Sequence, residues 1–179
     1  MNKLLILSSI FLLVFVGCRG RVSGERILFD FESDSELDRL HWKCHTLFSL
    51  SDEHVTHGKR SLRMELYPSD YPGLTPMLEE NDWSCYKRIC FDIFNAEDKQ
   101  IRLSVRIDDR KDYPDYEDRY HNTFILKPGM NRVSIPMNTL ITSGTDRTLD
   151  LRKIYRVLVY IAHPQKKMVL YVDYIRLVS

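Results

Sequence analysis

The sequence predicts an all-β domain, a sandwich or a barrel. Three observations lead there. From residue 24 onward, apolar side chains recur at every second position in short runs. Gly, Pro, Asn and Asp punctuate the gaps between those runs, as turns between strands require. No stretch of a dozen residues holds a helical period.

The elements follow in order. Ile27 to Phe31 open the first strand, with Phe29 and Phe31 on one face and Asp30 and Glu32 on the other. Ser33 to Leu40 is polar and suits one short helical turn. Trp42, Cys44, Thr46, Phe48 and Leu50 alternate with His41, Lys43, His45, Leu47 and Ser49. A turn at His57-Gly58-Lys59 leads to Leu62, Met64 and Leu66, which alternate with Arg63 and Glu65. Asp82-Trp83-Ser84 precedes a strand from Ile89 to Phe94. Ile101, Leu103, Val105 and Ile107 alternate with Arg102, Ser104, Arg106 and Asp108. Strands over Thr123 to Leu126, Arg132 to Ile135, Arg156 to Ala162 and Val169 to Leu177 complete the set. Gly58, Gly73, Gly129 and Gly144 each fall where a turn is expected.

Composition narrows the function. The chain has 179 residues, the size of one domain. Its formal charge of +1 gives no electrostatic case for binding nucleic acid. Its scattered glycines exclude phosphate loops, dinucleotide fingerprints and nucleophile elbows, which need closely spaced glycines. Glu53-His54-Val55-Thr56-His57 has the wrong order for a zinc-protease motif.

Tyr113, Tyr116 and Tyr120 stand among Asp109, Arg110, Asp112, Asp115, Asp118 and Arg119, beside the strand that carries Arg106 and Asp108. Aromatic faces attract the weakly positive C–H groups of a sugar ring, and charged side chains orient its hydroxyls. The segment therefore reads either as a recognition element or as a soluble connection, with Arg106 and Asp108 either ligand contacts or an exposed ion pair. Trp83 suits a core or turn anchor better than a site rim. A hydrolase would need two carboxyl groups facing a common bond, and Asp108, Asp109 and Glu65 are conceivable partners.

The amino terminus reads as a secretory signal. Lys3 supplies a basic start, and Leu4 to Val16 form a 13-residue apolar stretch, too short to span a bilayer. Phe15-Val16-Gly17-Cys18 resembles the lipobox of bacterial lipoproteins. That resemblance implies cleavage after residue 17 and lipidation of Cys18, with an ordinary signal peptide as the alternative. Residues 1–17 are then the signal, 18–25 a tether and 26–179 the domain. Arg19 follows Cys18 with no Asp to signal inner-membrane retention, which directs the expectation to the outer membrane, on its periplasmic or surface face. Processing removes Lys3 and no acid, so the mature formal charge is zero. Cys44, Cys85 and Cys90 then remain, and at most one disulfide can form among them.

Several segments stand in a familiar order: Phe29-Asp30-Phe31-Glu32, His57-Gly58-Lys59-Arg60-Ser61-Leu62, Asp82-Trp83-Ser84, Cys90-Phe91-Asp92-Ile93-Phe94-Asn95, Lys127-Pro128-Gly129-Met130-Asn131 and Tyr171-Val172-Asp173-Tyr174-Ile175-Arg176-Leu177. In this order they resemble the galactose-binding-like β-sandwich found in carbohydrate-binding modules of bacterial glycosidases. The resemblance implies a jelly roll of two antiparallel sheets. It implies a non-catalytic carbohydrate-binding lipoprotein of the cell envelope, with an oligosaccharide or polysaccharide as ligand. It places the ligand on the non-core face of the second sheet, at Arg106, Asp108, Tyr113, Tyr116, Arg119 and Tyr160, with Trp83 and His163 near its rim. It also implies a structural calcium held by Asp30 or Glu32, carbonyls near Lys59, and Asp173; the alternative is that these acids are solvated edge residues. A module that docks an envelope protein, or a small glycoside hydrolase, are the competing readings.

Overall fold

A computed structural model describes residues 24–41 and 44–179. The signal, Cys18 and most of the tether lie outside the described residues, as do Trp42 and Lys43 of the expected second run. The remainder is a sandwich of two antiparallel sheets, as expected.

Ten strands build it: β1 (Glu25–Phe29), β2 (Thr46–Ser51), β3 (Ser61–Leu66), β4 (Gly73–Leu74), β5 (Arg88–Asn95), β6 (Ile101–Asp108), β7 (Tyr120–Leu126), β8 (Gly129–Pro136), β9 (Arg156–Tyr160) and β10 (Met168–Val178). The first sheet runs β2-β3-β10-β5-β8, with β1 also on β10; the second runs β4-β9-β6-β7. Side chains alternate between the core and the outer face along the long strands, and β5 and β10, central in the first sheet, are covered on both faces over much of their length. Leu62, Met64, Leu66, Ile89, Phe91, Ile93, Leu170, Val172, Ile175 and Leu177 face Leu103, Val105, Ile107, Leu126, Val157 and Val159 across the core.

β10 organises the first sheet. β5 pairs along its length, while β3 and β1 share the opposite edge, β3 at Met168 to Val172 and β1 at Ile175 to Val178. A bulge at Asp173 to Arg176 separates them, with Tyr174 at φ +54°. The loop after β2 fills that gap. Asp173 accepts hydrogen bonds from the Thr56 amide at 2.7 Å, the Thr56 hydroxyl at 3.1 Å and the His57 amide at 2.9 Å. The same loop lays His54 flat on Phe94, ring centroids 3.4 Å apart, and so covers part of the first sheet's outer face.

Three sequence expectations change. β1 ends at Phe29, because Phe31 adopts φ +58°, yet both rings are buried and lie 5.9 Å apart. β1 also begins at Glu25, one residue inside the expected tether. The polar segment after β1 holds its expected short helical turn, a 3₁₀ helix over Asp34–Arg39 capped by the Ser33 side chain. Gly73 is in a strand rather than a turn: a Cβ there would stand 2.2 Å from the Val159 carbonyl oxygen, so only glycine lets β4 approach β9.

Trp83 is an anchor of the core, fully buried. Its indole N–H donates to the Glu80 carbonyl at 3.0 Å and its amide to the Leu151 carbonyl at 2.7 Å.

Candidate functional site

The outer face of the second sheet is built by parity. With Ile107, Val157, Val159 and Tyr120 turned inward, β6 must present Ser104, Arg106 and Asp108 outward, β9 Arg156, Leu158 and Tyr160, and β7 His121 and Thr123. Antiparallel register sets Arg106 beside both His121 and Leu158, and Asp108 beside Arg156. The segment between β6 and β7 then passes Tyr113, Tyr116 and Arg119 along the same face.

At one end is a buried charge cluster. Asp108 is 0% exposed and accepts two bonds from Arg106, Nε to Oδ1 and Nη2 to Oδ2, each 2.7 Å. Arg156 Nη1 donates to Asp108 Oδ2 at 2.5 Å. The expected exposed ion pair is therefore a buried one. Asp108 does not meet solvent: it fixes two guanidinium groups, which do. Arg156 carries Tyr113 against its head, 4.0 Å from the ring centroid, and Tyr113 itself is 74% exposed. Arg106, Arg156, Tyr113, His41, Thr75 and Leu158 line a cleft of about 260 Å³.

From that cleft a row of rings crosses the sheet. Tyr116 and His121 have centroids 5.4 Å apart, His121 and Tyr160 6.2 Å, Tyr160 and Tyr71 5.5 Å, and Tyr71 and His163 5.2 Å. The Tyr116 hydroxyl lies 3.3 Å from His121 Nδ1, and the Tyr160 hydroxyl 3.0 Å from Nε2. Burial, then the nearby Arg119 and Arg106 charges, hold the His121 pKa below its usual value. A neutral imidazole donates from one nitrogen and accepts at the other. One tyrosine hydroxyl thus keeps its proton for a ligand and the other keeps its lone pairs. Arg119 stacks on Tyr116, 5.2 Å from the centroid.

Of the residues expected here, Arg106, Tyr113, Tyr116, Arg119 and Tyr160 come together around the face, with Asp108 beneath. His163 joins the rim and Trp83 does not. His121, Arg156 and Tyr71 were not foreseen. Strand parity, carried from Tyr160 back to Arg156 and from inward Tyr120 to its neighbour, is the signal that finds the first two.

The acids weighed for hydrolysis do not converge. Asp109 is held by Arg147, Nη1 at 2.5 Å and Nη2 at 2.9 Å, and by the Asp150 amide. Glu65 lies in the other sheet, where Lys167, Arg63 and Tyr67 lower its pKa to about 2.

The four residues expected around calcium lie near one another but are otherwise engaged. Glu32 Oε1 accepts from the Lys59 and Arg60 amides at 2.7 and 2.8 Å, across a turn made by Gly58 at φ +71°. Asp173 accepts the loop bonds given above, plus the Tyr174 amide at 2.7 Å. Asp30 lies 3.9 Å from His57 Nδ1. Among the described residues no group of three His, Cys, Asp or Glu is arranged to hold a metal. N–H donors thus occupy Glu32 Oε1 and both Asp173 oxygens, with which a calcium ion would have to compete. Chelation is expected to leave the melting temperature of the mature protein unchanged. A fall that added calcium reverses, seen by differential scanning fluorimetry, counts against this.

Comparison with known proteins places the fold. No protein-family model matches the sequence, and no curated protein matches it. Solved structures do. A family 11 carbohydrate-binding module from Clostridium thermocellum, in complex with a β-1,3-1,4-mixed-linked tetrasaccharide, superimposes with a TM-score of 0.64 at 18% identity, over 88% of this chain and 96% of that one. An exo-β-agarase gives 0.66 at 15% identity, over 84% of this chain and 25% of the enzyme. The CBM22-1–GH10 portion of a Clostridium thermocellum xylanase, complexed with xylohexaose, gives 0.53 at 13% identity over 87% and 29%. The fold is a jelly-roll β-sandwich, similar to that of these modules.

Proposed function

We propose that this chain is a non-catalytic carbohydrate-binding lipoprotein of a bacterial cell envelope. It binds an oligosaccharide or polysaccharide along the outer face of the second sheet, and lipid on Cys18 holds it to the outer membrane. The observation that carries this reading is the row of tyrosine and histidine rings flanked by oriented guanidinium groups. Rings supply stacking area for sugar C–H faces, and the arginines and paired hydroxyls supply directional bonds to sugar hydroxyls. The tetrasaccharide-bound module of similar fold supports it. The lipobox-like Phe15-Val16-Gly17-Cys18 supports the anchor, whose acyl chains would bury methylenes at about 0.8 kcal/mol each. The exposed Leu47 and Met130 fall on β2 and β8, the opposite edges of the first sheet, and so do not form one protein-docking patch.

The test is a glycan array followed by calorimetry on the mature chain. Tyr116→Ala and Tyr160→Ala are each expected to weaken binding about ten- to a hundredfold, the loss of one ring's buried area. Failure to bind any plant, algal or bacterial glycan removes the proposal.

A further inference from the structure

The charges around the cleft do not balance. Arg106, Arg156 and Arg119 stand on this face, and among the described residues Asp108 is the one carboxylate paired with any of them. Arg119 makes no ion pair among the described residues, and its Nε is buried without a hydrogen-bond partner. A guanidinium is rarely left so, because buried donors are normally satisfied. None of the acids of the adjoining loop, the exposed Glu117 included, makes an ion pair with Arg119 among the described residues, though the charge of Asp108 acts on it. Asp109 and Asp118 are taken by Arg147, and Asp118 also by Arg110. Asp112 and Asp115 are exposed, and Asp70, at the far end of the ring row, lies 3.6 Å from His163. The charges acting on His121 are Arg119 and Arg106, both positive. Three guanidinium groups thus stand on the outer face of the second sheet with one carboxylate, Asp108, buried beneath them.

We propose, building on the carbohydrate-binding reading above, that the outer face of the second sheet takes an anionic saccharide, and that Arg119, beside the ring row, reads its charged substituent. The substituent is a uronate carboxylate or a sulfate ester. Both are planar or trigonal oxygen arrays that a guanidinium fork meets with two parallel bonds. Tyr116 beneath Arg119 holds the fork in a fixed plane. Arg106 and Arg156, oriented by Asp108, contribute field and hydroxyl contacts along the same groove. A neutral glycan would stack on the rings but leave Arg119 without an ion pair.

Calorimetry on the mature chain with four probes tests this: an oligogalacturonate and its methyl ester, and a sulfated galacto-oligosaccharide and its desulfated form. One charged probe is expected to bind about tenfold or more tightly than its neutral counterpart. That preference is expected to shrink as sodium chloride rises. It is expected to be lost in Arg119→Gln and reduced but still present in Arg119→Lys, which keeps the charge without the fork, with circular dichroism showing both variants folded. Equal or tighter binding of the neutral probes overturns the inference and leaves the carbohydrate reading standing. An undiminished preference in a folded Arg119→Gln overturns the role of Arg119. Binding of neither charged nor neutral probes, when the array shows another neutral glycan bound, overturns the inference alone. An empty array removes both.

Discussion

Asp108→Ala is expected to destabilise the protein by about 3 kcal/mol and to abolish glycan binding in the molecules that remain folded. Removing one partner of a buried ion pair leaves the other as an uncompensated charge, which costs about 3–5 kcal/mol. Here the lower figure applies, since Arg106 and Arg156 are partly exposed and can turn their heads toward water. For a domain of this size the melting temperature falls by roughly 6–12 °C. The binding loss has a separate cause. Asp108 touches no ligand, but it sets the planes of both guanidinium groups, and Arg156 in turn supports Tyr113. Thermal denaturation and calorimetry below the transition read the two effects independently. A folded variant with unchanged affinity contradicts the assignment.

Trp83→Ala makes the contrasting case. It is expected to cost about 3–5 kcal/mol, as deletion of a fully buried large ring does elsewhere. Affinity below the transition is expected to stay as in the unaltered protein. Trp83 bonds to Glu80 and Leu151 and takes no part in the ring row. A loss of affinity matching that of Asp108→Ala would mean the cleft depends on the whole core rather than on its own charge cluster.

The two substitutions also mark what the sequence reveals. Alternation identifies β3, β5, β6, β8 and β10, because a half-buried strand must sort its side chains by parity. It also turns Arg106 and Asp108 away from the core. It does not reveal depth. Asp108 looks like a surface acid beside an arginine; only the approach of Arg156 from β9, 48 positions along the chain, buries it. Likewise β4 is two residues long, too short for any periodic signal, and its glycine imitates a turn. The Phe29-Asp30-Phe31 run reads as continuous strand, since nothing local announces the left-handed backbone at Phe31. The calcium expectation comes with the family resemblance, and the amides that donate to Glu32 and Asp173 are invisible in a sequence. The tyrosines between β6 and β7 are legible as a cluster, while their partner His121 gains meaning only from Tyr160 across β6.

The tyrosine-bearing segment between β6 and β7 is clamped at both ends by one side chain. Arg147 grips Asp109 at its start and Asp118 at its close, and Arg110 also reaches Asp118. An aromatic wall pinned this way keeps its shape whether or not anything rests on it. Capture then forfeits little conformational entropy, and the platform behaves as a ready-made mould rather than a hand that must close.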